Sequence, residues 1–355
     1  MNKLYTAAMF MAASSMAVAG GHGGMNHSSN SASAANSGSG VHFYGRLYVG
    51  YDHQSTGSAN SVDSIRDNGQ KSRLGIKFKE NLGSMSLVGV AEWKFDIADG
   101  TATGDGTNCS NAQDCRTFNL HVGNLGFQTA LGYIGMGSFE SPYKTMGMYD
   151  LNMDTAIALN NHGGTSDGDF GQAGTWDSSL SLHTMVGPIE VAYLRGMSEQ
   201  TNNANVQKSD YAVGLRVADM VLPGLELGFA RNHDKSGDSN RGTSNDKVFA
   251  SYKVMPGLGV FYTDEEVEIA GSNHAAGDIT TMGLHYTMGH NMIQLAIAEG
   301  NMDAATTDYD VVSISNQMNL SKATDLTIGY TRKGVEGSGN AVRSYGLGIT
   351  HKFWF

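Results

Sequence analysis

The segment GLGITHKFWF, residues 346–355, decides the fold class because its side chains alternate between apolar and polar. With the two preceding residues included, one face of an extended strand carries Tyr345, Leu347, Ile349, Phe353 and Phe355, interrupted only by His351. The opposite face carries Ser344, Gly346, Gly348, Thr350, Lys352 and Trp354. A period of two is typical of a β-strand with one apolar and one polar face. The segment therefore predicts a strand whose apolar face must be covered by something other than water.

The same alternation repeats from Val41 onward, in stretches of about ten residues separated by connections. The connections alternate strictly between seven short ones and eight long polar ones, which together join sixteen strands. The short connections are residues 81–83, 124–126, 187–188, 222–224, 255–257, 288–290 and 321–323. An even number of strands with short turns at one end and long loops at the other is the layout of an outer-membrane barrel.

The size of such a barrel decides which way its apolar face points. Sixteen strands enclose a lumen too wide for side chains to fill, so an apolar interior would stay unpacked. A soluble sandwich also alternates, but it has no reason to segregate its long loops in this way. The sequence therefore predicts an all-β fold, a 16-stranded antiparallel transmembrane β-barrel, with the apolar face and Phe355 in lipid and the charged face toward water.

The first forty residues precede the barrel. Lys3, an apolar stretch and the triplet Ala17-Val18-Ala19 form the layout of a secretory signal peptide over residues 1–19. A membrane anchor is the alternative, but the stretch is short and contains serine and threonine. Residues 20–40 are rich in Gly, Ser and Asn and have too little apolar surface to fold. We therefore expect a flexible leader over 20–40 and the barrel over 41–355.

Composition excludes several classes of function. The chain has 23 Lys and Arg against 34 Asp and Glu, a formal net charge of −11, so nucleic acid is not an expected partner. Its 47 glycines are about twice the usual share, which suits twisted strands and turns. His22 and His27 lack the neighbouring ligands of a metal site. No metal, cofactor or catalytic residue is predicted.

Four segments carry a resemblance to a known family: residues 41–52 (VHFYGRLYVGYD), 72–96, 132–144 (GYIGMGSFESPYK) and 344–355. They resemble the Gram-negative trimeric general diffusion porins, and the likeness covers nearly all of the chain after residue 40. The resemblance implies a homotrimer in the Gram-negative outer membrane that passes ions and small hydrophilic solutes. It also implies contact with outer-membrane lipid and lipopolysaccharide. The terminal strand, with Phe353 and Phe355, looks like the signal that the barrel-assembly machinery reads.

The third long loop, residues 139–174, is the candidate pore constriction. In porins like this one, the corresponding loop folds into the barrel and narrows it. Its acids are Glu140, Asp150, Asp154, Asp167 and Asp169, against the single base Lys144. By the alternation count, it should face a basic wall formed by Arg46, Arg73, Lys77 and Lys94. Opposed charges across a narrow aqueous gap filter solutes by size and charge; the alternative is ordinary solvated surface.

Two features bear on selectivity and on the surface loops. Relatives often have an Arg where this chain has Ser138, which thins the basic wall, and the acid-rich loop then favours a weak cation preference. Cys109 and Cys115 bracket a short segment of the second long loop. In an oxidising periplasm we expect a disulfide between them, with two free thiols as the alternative.

Two other functions compete with a passive channel. A barrel enzyme needs a fixed nucleophile and base, but the histidines here are scattered over different strands. A substrate-specific channel needs an aromatic ladder or a dedicated site in the lumen. Tyr44 and Tyr48 point inward by the alternation count but do not make a ladder by themselves. The sequence favours the passive channel and leaves the substrate-specific channel as the main alternative.

Overall fold

The computed structural model describes residues 39–57, 61–67, 71–98, 118–166, 174–197, 210–233, 244–268, 275–304 and 307–355. These residues form one antiparallel sheet of seventeen strand segments, β1 to β17 in chain order. Their bounds are Gly40–Ser55, Ser61–Arg66, Arg73–Asn81, Ser86–Lys94, Asn119–Thr129, Gly132–Glu140, Thr175–Val186, Ile189–Gly196, Tyr211–Ala218, Leu225–His233, Ser244–Met255, Leu258–Val267, Gly277–Met288, Asn291–Met302, Tyr309–Asn319, Thr324–Val335 and Ala341–Trp354. One helical turn, α1 (Pro142–Thr145), and one 3₁₀ turn (Asn160–His162) lie between β6 and β7.

No helix in these described ranges is long and apolar enough to cross a membrane.

The seventeen segments make a barrel of sixteen strands over the described residues, because β2 and β3 share one position. Both pair with β1, β2 with its second half (Ser55 opposite Ser61) and β3 with its first half (Gly40 opposite Lys79). The carboxylate of Asp67 accepts hydrogen bonds from the backbone N–H groups of Lys71 and Ser72 at the break, at 2.6 and 2.7 Å. The barrel closes where β1 pairs with β17. The predicted fold class is confirmed.

One predicted turn is wrong. Asn124, Leu125 and Gly126 lie inside β5, and the real turn is residues 130–131. The side-chain amide of Asn124 donates to the carbonyl of Ser138 at 3.2 Å and accepts from the hydroxyl of Tyr133 at 3.1 Å across the sheet. These turn-forming residue types are therefore used for cross-strand hydrogen bonding and close packing. The turn itself is held by the Thr129 hydroxyl, which donates to the Gly132 carbonyl at 3.0 Å.

The two faces of the barrel differ as predicted over most of its circumference. Large apolar side chains such as Leu295, Ile314 and Ile349 are exposed on the outside. The inward face carries buried polar groups over most strands, and from β12 to β15 buried apolar side chains lie among them. There a buried cluster joins the third loop to the wall: Leu159, Phe261, Val267, Ile279, Ala296, Ala298, Met302, Tyr309 and Val311. The third loop therefore fills part of the lumen and forms a buried apolar cluster with the wall, which strand alternation alone does not predict.

The last strand lies at the seam where the barrel closes. Phe353 is opposite Gly45 of β1, and a side chain in place of Gly45 would collide with the Phe353 ring. The backbone N–H of Phe355 donates to the carbonyl of Phe43 at 2.9 Å. The exposed Phe355 ring lies 6.1 Å from that of Phe353. Both rings thus cover the outer surface next to the closing seam.

Candidate functional site

The third loop turns into the barrel directly after β6. Ser141 caps α1, since its hydroxyl accepts from the backbone N–H of Lys144, and Pro142 supplies a preset backbone angle at the start of the turn. Tyr143 and Ile157 of this loop are essentially fully buried. A surface loop would expose such residues, so their burial shows that the loop lies inside the lumen.

Hydrogen bonds join the loop backbone to inward side chains of several wall strands, among them β13 to β16. The N–H of Leu151 donates to Gln294 on β14 at 2.7 Å, and the carbonyl of Ile157 accepts from Thr331 on β16 at 2.7 Å. The carbonyls of Gly163 and Gly164 accept from Tyr309 on β15 at 2.8 Å and Thr281 on β13 at 2.5 Å. The loop thus runs along the inner wall, with its backbone polar groups satisfied by the barrel.

Three of the four predicted basic residues form one row across neighbouring strands. Arg46 on β1 lies directly opposite Arg73 on β3, and Arg73 lies directly opposite Lys94 on β4. Lys77 lies on the same face four residues further along β3, with its ammonium 4.9 Å from the ring centre of Tyr44. Like charges directly opposite each other destabilise a sheet. The row of Arg46, Arg73 and Lys94 therefore requires negative charge nearby.

Asp154 of the loop supplies part of that charge. Its carboxylate lies 2.9 Å from a guanidinium nitrogen of Arg46 and 2.9 Å from one of Arg73. Its backbone is left-handed, with φ of 62°. Burial opposes ionisation of Asp154, but Arg73, Lys94 and Arg46 outweigh it and hold the pKa well below the ordinary value. Asp154 is therefore ionised at neutral pH and bridges two of the bases.

Glu92 on β4 also supplies negative charge, and it contacts His121 on β5. The carboxylate of Glu92 accepts from the hydroxyl of Tyr44 at 2.9 Å and from Arg73 at 3.2 Å. It also lies 2.8 Å from Nδ1 of His121. The sequence pattern gives neither Glu92 nor His121 a role, although the alternation of β4 could have revealed Glu92 as an inward neighbour of the basic row.

The other predicted loop acids occupy different places. Glu140 ends β6, where its carboxylate lies 3.2 Å from the Lys144 ammonium and 3.6 Å from Nε2 of His121. Asp150 accepts from the backbone N–H groups of Asn152 and Leu159, at 2.9 and 2.7 Å, and thus braces the loop. Burial raises the pKa of Asp150 to about 6. Asp167, Asp169, Cys109 and Cys115 lie outside the described residues, so the disulfide stays a prediction.

A second charged group lies on the inward face of β7 to β10. Glu190 lies 2.7 Å from Nε2 of His183 and also pairs with Arg216, which in turn lies 3.5 Å from Glu226. The hydroxyl of Tyr149 in the loop donates to Glu226 at 2.9 Å. These residues extend the charged lumen surface away from the basic row, and no sequence motif marks them.

In the part of the chain that the structure describes, no group of three or more His, Cys, Asp or Glu residues is arranged to hold a metal ion.

Comparisons with known proteins agree with this architecture. A sequence profile of Gram-negative porins matches residues 6–338. An anion-selective porin from Comamonas acidovorans superposes with a TM-score of 0.67 at 17% identity, covering 89% of this chain and 100% of that chain. OmpF of Salmonella typhi superposes with a TM-score of 0.65 at 12% identity, covering 89% and 98%. A loop-deletion form of OmpT from Vibrio cholerae gives 0.60 at 15%, covering 89% and 99%.

A comparison with curated protein sequences found no match. The identities of the solved structures are low, so those structures support the barrel fold, whereas the profile covers nearly the whole sequence and supports the family. The chain therefore belongs to the Gram-negative porins, and its closed barrel with an inward third loop is an outer-membrane diffusion channel.

Proposed function

We propose that the basic row of Arg46, Arg73 and Lys94, together with Asp154 and Glu92, is the selective constriction of this channel. The observation that carries the proposal is the contact of Asp154 with both arginines. It fixes the loop tip against the wall where three cations line up. The channel passes ions and small hydrophilic solutes by diffusion, and this is where charge discriminates among them.

The charge balance at this row favours a weak preference for anions. Among the described residues, the side-chain ammonium of Lys94 makes no ion pair or hydrogen bond, and the side chain is half-buried. Asp154, by contrast, is neutralised by two arginines, so the acid-rich loop contributes less free negative charge than its composition indicates. Low-dielectric walls make such nearby charges count more than the total charge of the chain. This proposal replaces the weak cation preference that composition favours.

Several acidic side chains lie where they do not face the lumen. Asp246 is directly opposite Glu266 across β11 and β12, and Glu299 is directly opposite Asp310 across β14 and β15. These positions alternate with buried inward residues and thus point outward. At physiological ionic strength the Debye length is about 8 Å, so dissolved salt weakens the effect of these outward charges on ions inside the channel. The name of one structural neighbour, the anion-selective Comamonas porin, further supports an anion preference.

Assembly and location complete the proposal. Membership of the porin family supports a homotrimer in the Gram-negative outer membrane, surrounded by lipid and lipopolysaccharide. Residues 1–19 act as a cleaved signal peptide, residues 20–40 as a leader and residues 41–355 as the barrel. The barrel-assembly machinery recognises the last strand with Phe353 and Phe355. Diffusion needs no cofactor, and no catalytic role is proposed.

Planar-bilayer recordings test the channel and its preference. Purified protein is expected to give stepwise conductance and, in a potassium chloride gradient, a reversal potential that favours chloride. Absence of conductance contradicts the channel, and a potassium preference contradicts the proposed charge balance. Unboiled samples on a denaturing gel are expected to run as a trimer that boiling converts to monomer. A monomer under every mild extraction contradicts the trimer.

A further inference from the structure

One carboxylate on the barrel wall holds two distant segments of the third loop. Glu265 on β12 points inward and is 1% exposed. Within the described residues it accepts four hydrogen bonds from the loop. They come from the Tyr143 hydroxyl at 2.7 Å, the Thr165 hydroxyl at 2.6 Å, the Ser166 backbone N–H at 3.2 Å and the Ser166 hydroxyl.

These donors lie far apart in the loop but meet at one point. Tyr143 belongs to α1 at the start of the loop, and Ser166 follows it by 23 residues. Their hydroxyls also contact each other at 3.0 Å. β12 is five strands away from β7 in the barrel order, so the loop must cross part of the lumen to reach it. Glu265 thus joins the outgoing and returning limbs of the loop at a distant place on the wall.

Lys247 on β11 balances the charge of this carboxylate. Its ammonium lies 3.9 Å from Glu265, and the two side chains are 2% and 0% exposed. The same ammonium donates to the backbone carbonyl of Tyr143 at 2.9 Å and lies 4.4 Å from the Tyr143 ring centre. A buried carboxylate needs such a partner and several donors to remain ionised. Here those donors belong to the loop, so in this buried position the docked loop satisfies the carboxylate.

We propose that Glu265 is a positioning residue that sets the width of the water-filled path by clasping the two limbs of the third loop. We call Glu265, Lys247, Tyr143, Thr165 and Ser166 the clasp. With both limbs tied to β12, the segment between them has fewer accessible positions, and Asp154 at its tip is presented to the basic row. The proposal rests on the channel function but not on the ion preference.

Single-channel recordings of three variants test the clasp. Glu265→Ala removes the acceptor and is expected to raise the mean conductance and to add conductance levels, because the loop limbs separate from the wall. Glu265→Gln keeps one acceptor oxygen and is expected to lie between Glu265→Ala and the wild type. Glu266→Ala is the matched control, since Glu266 is the next residue, exposed on the outer face. It is expected to behave as the wild type.

The readouts separate positioning from simple structural support. A positioning role is indicated if Glu265→Ala changes conductance while the trimer band and its melting temperature on gels stay as in Glu266→Ala. Wild-type conductance in Glu265→Ala overturns the proposal, whatever the change in stability. If Glu265→Ala does not assemble, Tyr143→Phe and Thr165→Val each remove one donor, and unchanged conductance in both overturns it. Failure of the wild type itself to conduct would instead contradict the channel function.

Discussion

Asp154 of the third loop lies 2.9 Å from the guanidinium of Arg73 on β3, although 81 residues separate them in the sequence. The opposed charges of loop and wall are therefore in direct contact at this point, and not across an aqueous gap. The contact neutralises an acid that composition counts as free. It also holds the loop tip against the wall, so the same ion pair affects both the width and the charge of the path.

Replacing Asp154 tests its effect on selectivity. Asp154→Asn keeps the side-chain shape but leaves Arg46 and Arg73 with less negative charge nearby, so the reversal potential in a potassium chloride gradient should shift further toward chloride. Asp310→Asn is the control, because Asp310 pairs with Arg332 at an exposed site. Equal reversal potentials in the two variants would show that Asp154 does not line the path.

Lys94 provides the converse test. Lys94→Gln removes a positive charge that, among the described residues, has no ion-pair partner. We therefore expect the reversal potential to shift toward potassium. Lys79→Gln, on the inward face of β3 near the short turn, should shift it less. If both variants shift it equally, the row of Arg46, Arg73 and Lys94 is not the point of discrimination.

The buried carboxyl of Asp150 predicts a pH dependence. Because burial raises its pKa from 3.8 to about 6, the protonated form stabilises the folded loop. This contribution is fully present below the ordinary pKa and is lost as the pH rises through about 6. Conductance should therefore fluctuate less at about pH 5 than at about pH 8. Asp150→Asn should abolish the difference, and an unchanged pH dependence in that variant would contradict the assignment.

Ile157 occupies a notch made by two glycines. Gly329 on β16 is directly opposite Gly346 on β17, and a Cβ atom at Gly346 would lie 3.1 Å from Ile157. We expect Gly346→Ala to destabilise the docked loop by about 1 kcal/mol through overpacking. Thermal unfolding followed on gels measures this cost. Combining Gly346→Ala with Ile157→Ala should give a cost smaller than the sum of the two, whereas strict additivity would exclude the contact.

The last residue is expected to matter for assembly and not for conduction. Phe355→Ser removes an exposed outer-face ring next to the seam between β1 and β17 and should lower the amount of trimer inserted in the membrane. The inserted molecules should conduct as the wild type, because Phe355 faces away from the lumen. Wild-type amounts of trimer would contradict a role in assembly.

The strand count, the alternation of short and long connections and the outward apolar face can all be predicted from the sequence. These follow from side-chain alternation with a period of two, which is a local property of each strand. The sequence also predicts that Arg46, Arg73, Lys77 and Lys94 face the lumen, since every second residue of a strand points to the same side. It misplaced one turn, because Asn124 and Gly126 have turn-forming character but are used for contacts with neighbouring strands.

The pairing of loop residues with wall residues, by contrast, emerges only in the folded barrel. The path of the third loop depends on contacts between residues about a hundred or more positions apart, such as Tyr143 with Glu265 and His162 with Ser344. Strand alternation carries no information on such long-range contacts. A loop has no two-residue period, so the sequence does not show which way an acidic side chain in the loop points. Asp154 and Asp150 therefore look equivalent in the sequence. In the folded barrel Asp154 pairs with the basic row, whereas Asp150 accepts hydrogen bonds from the loop backbone. Each buried carboxyl lies where hydrogen-bond donors or positive charges compensate for the loss of water.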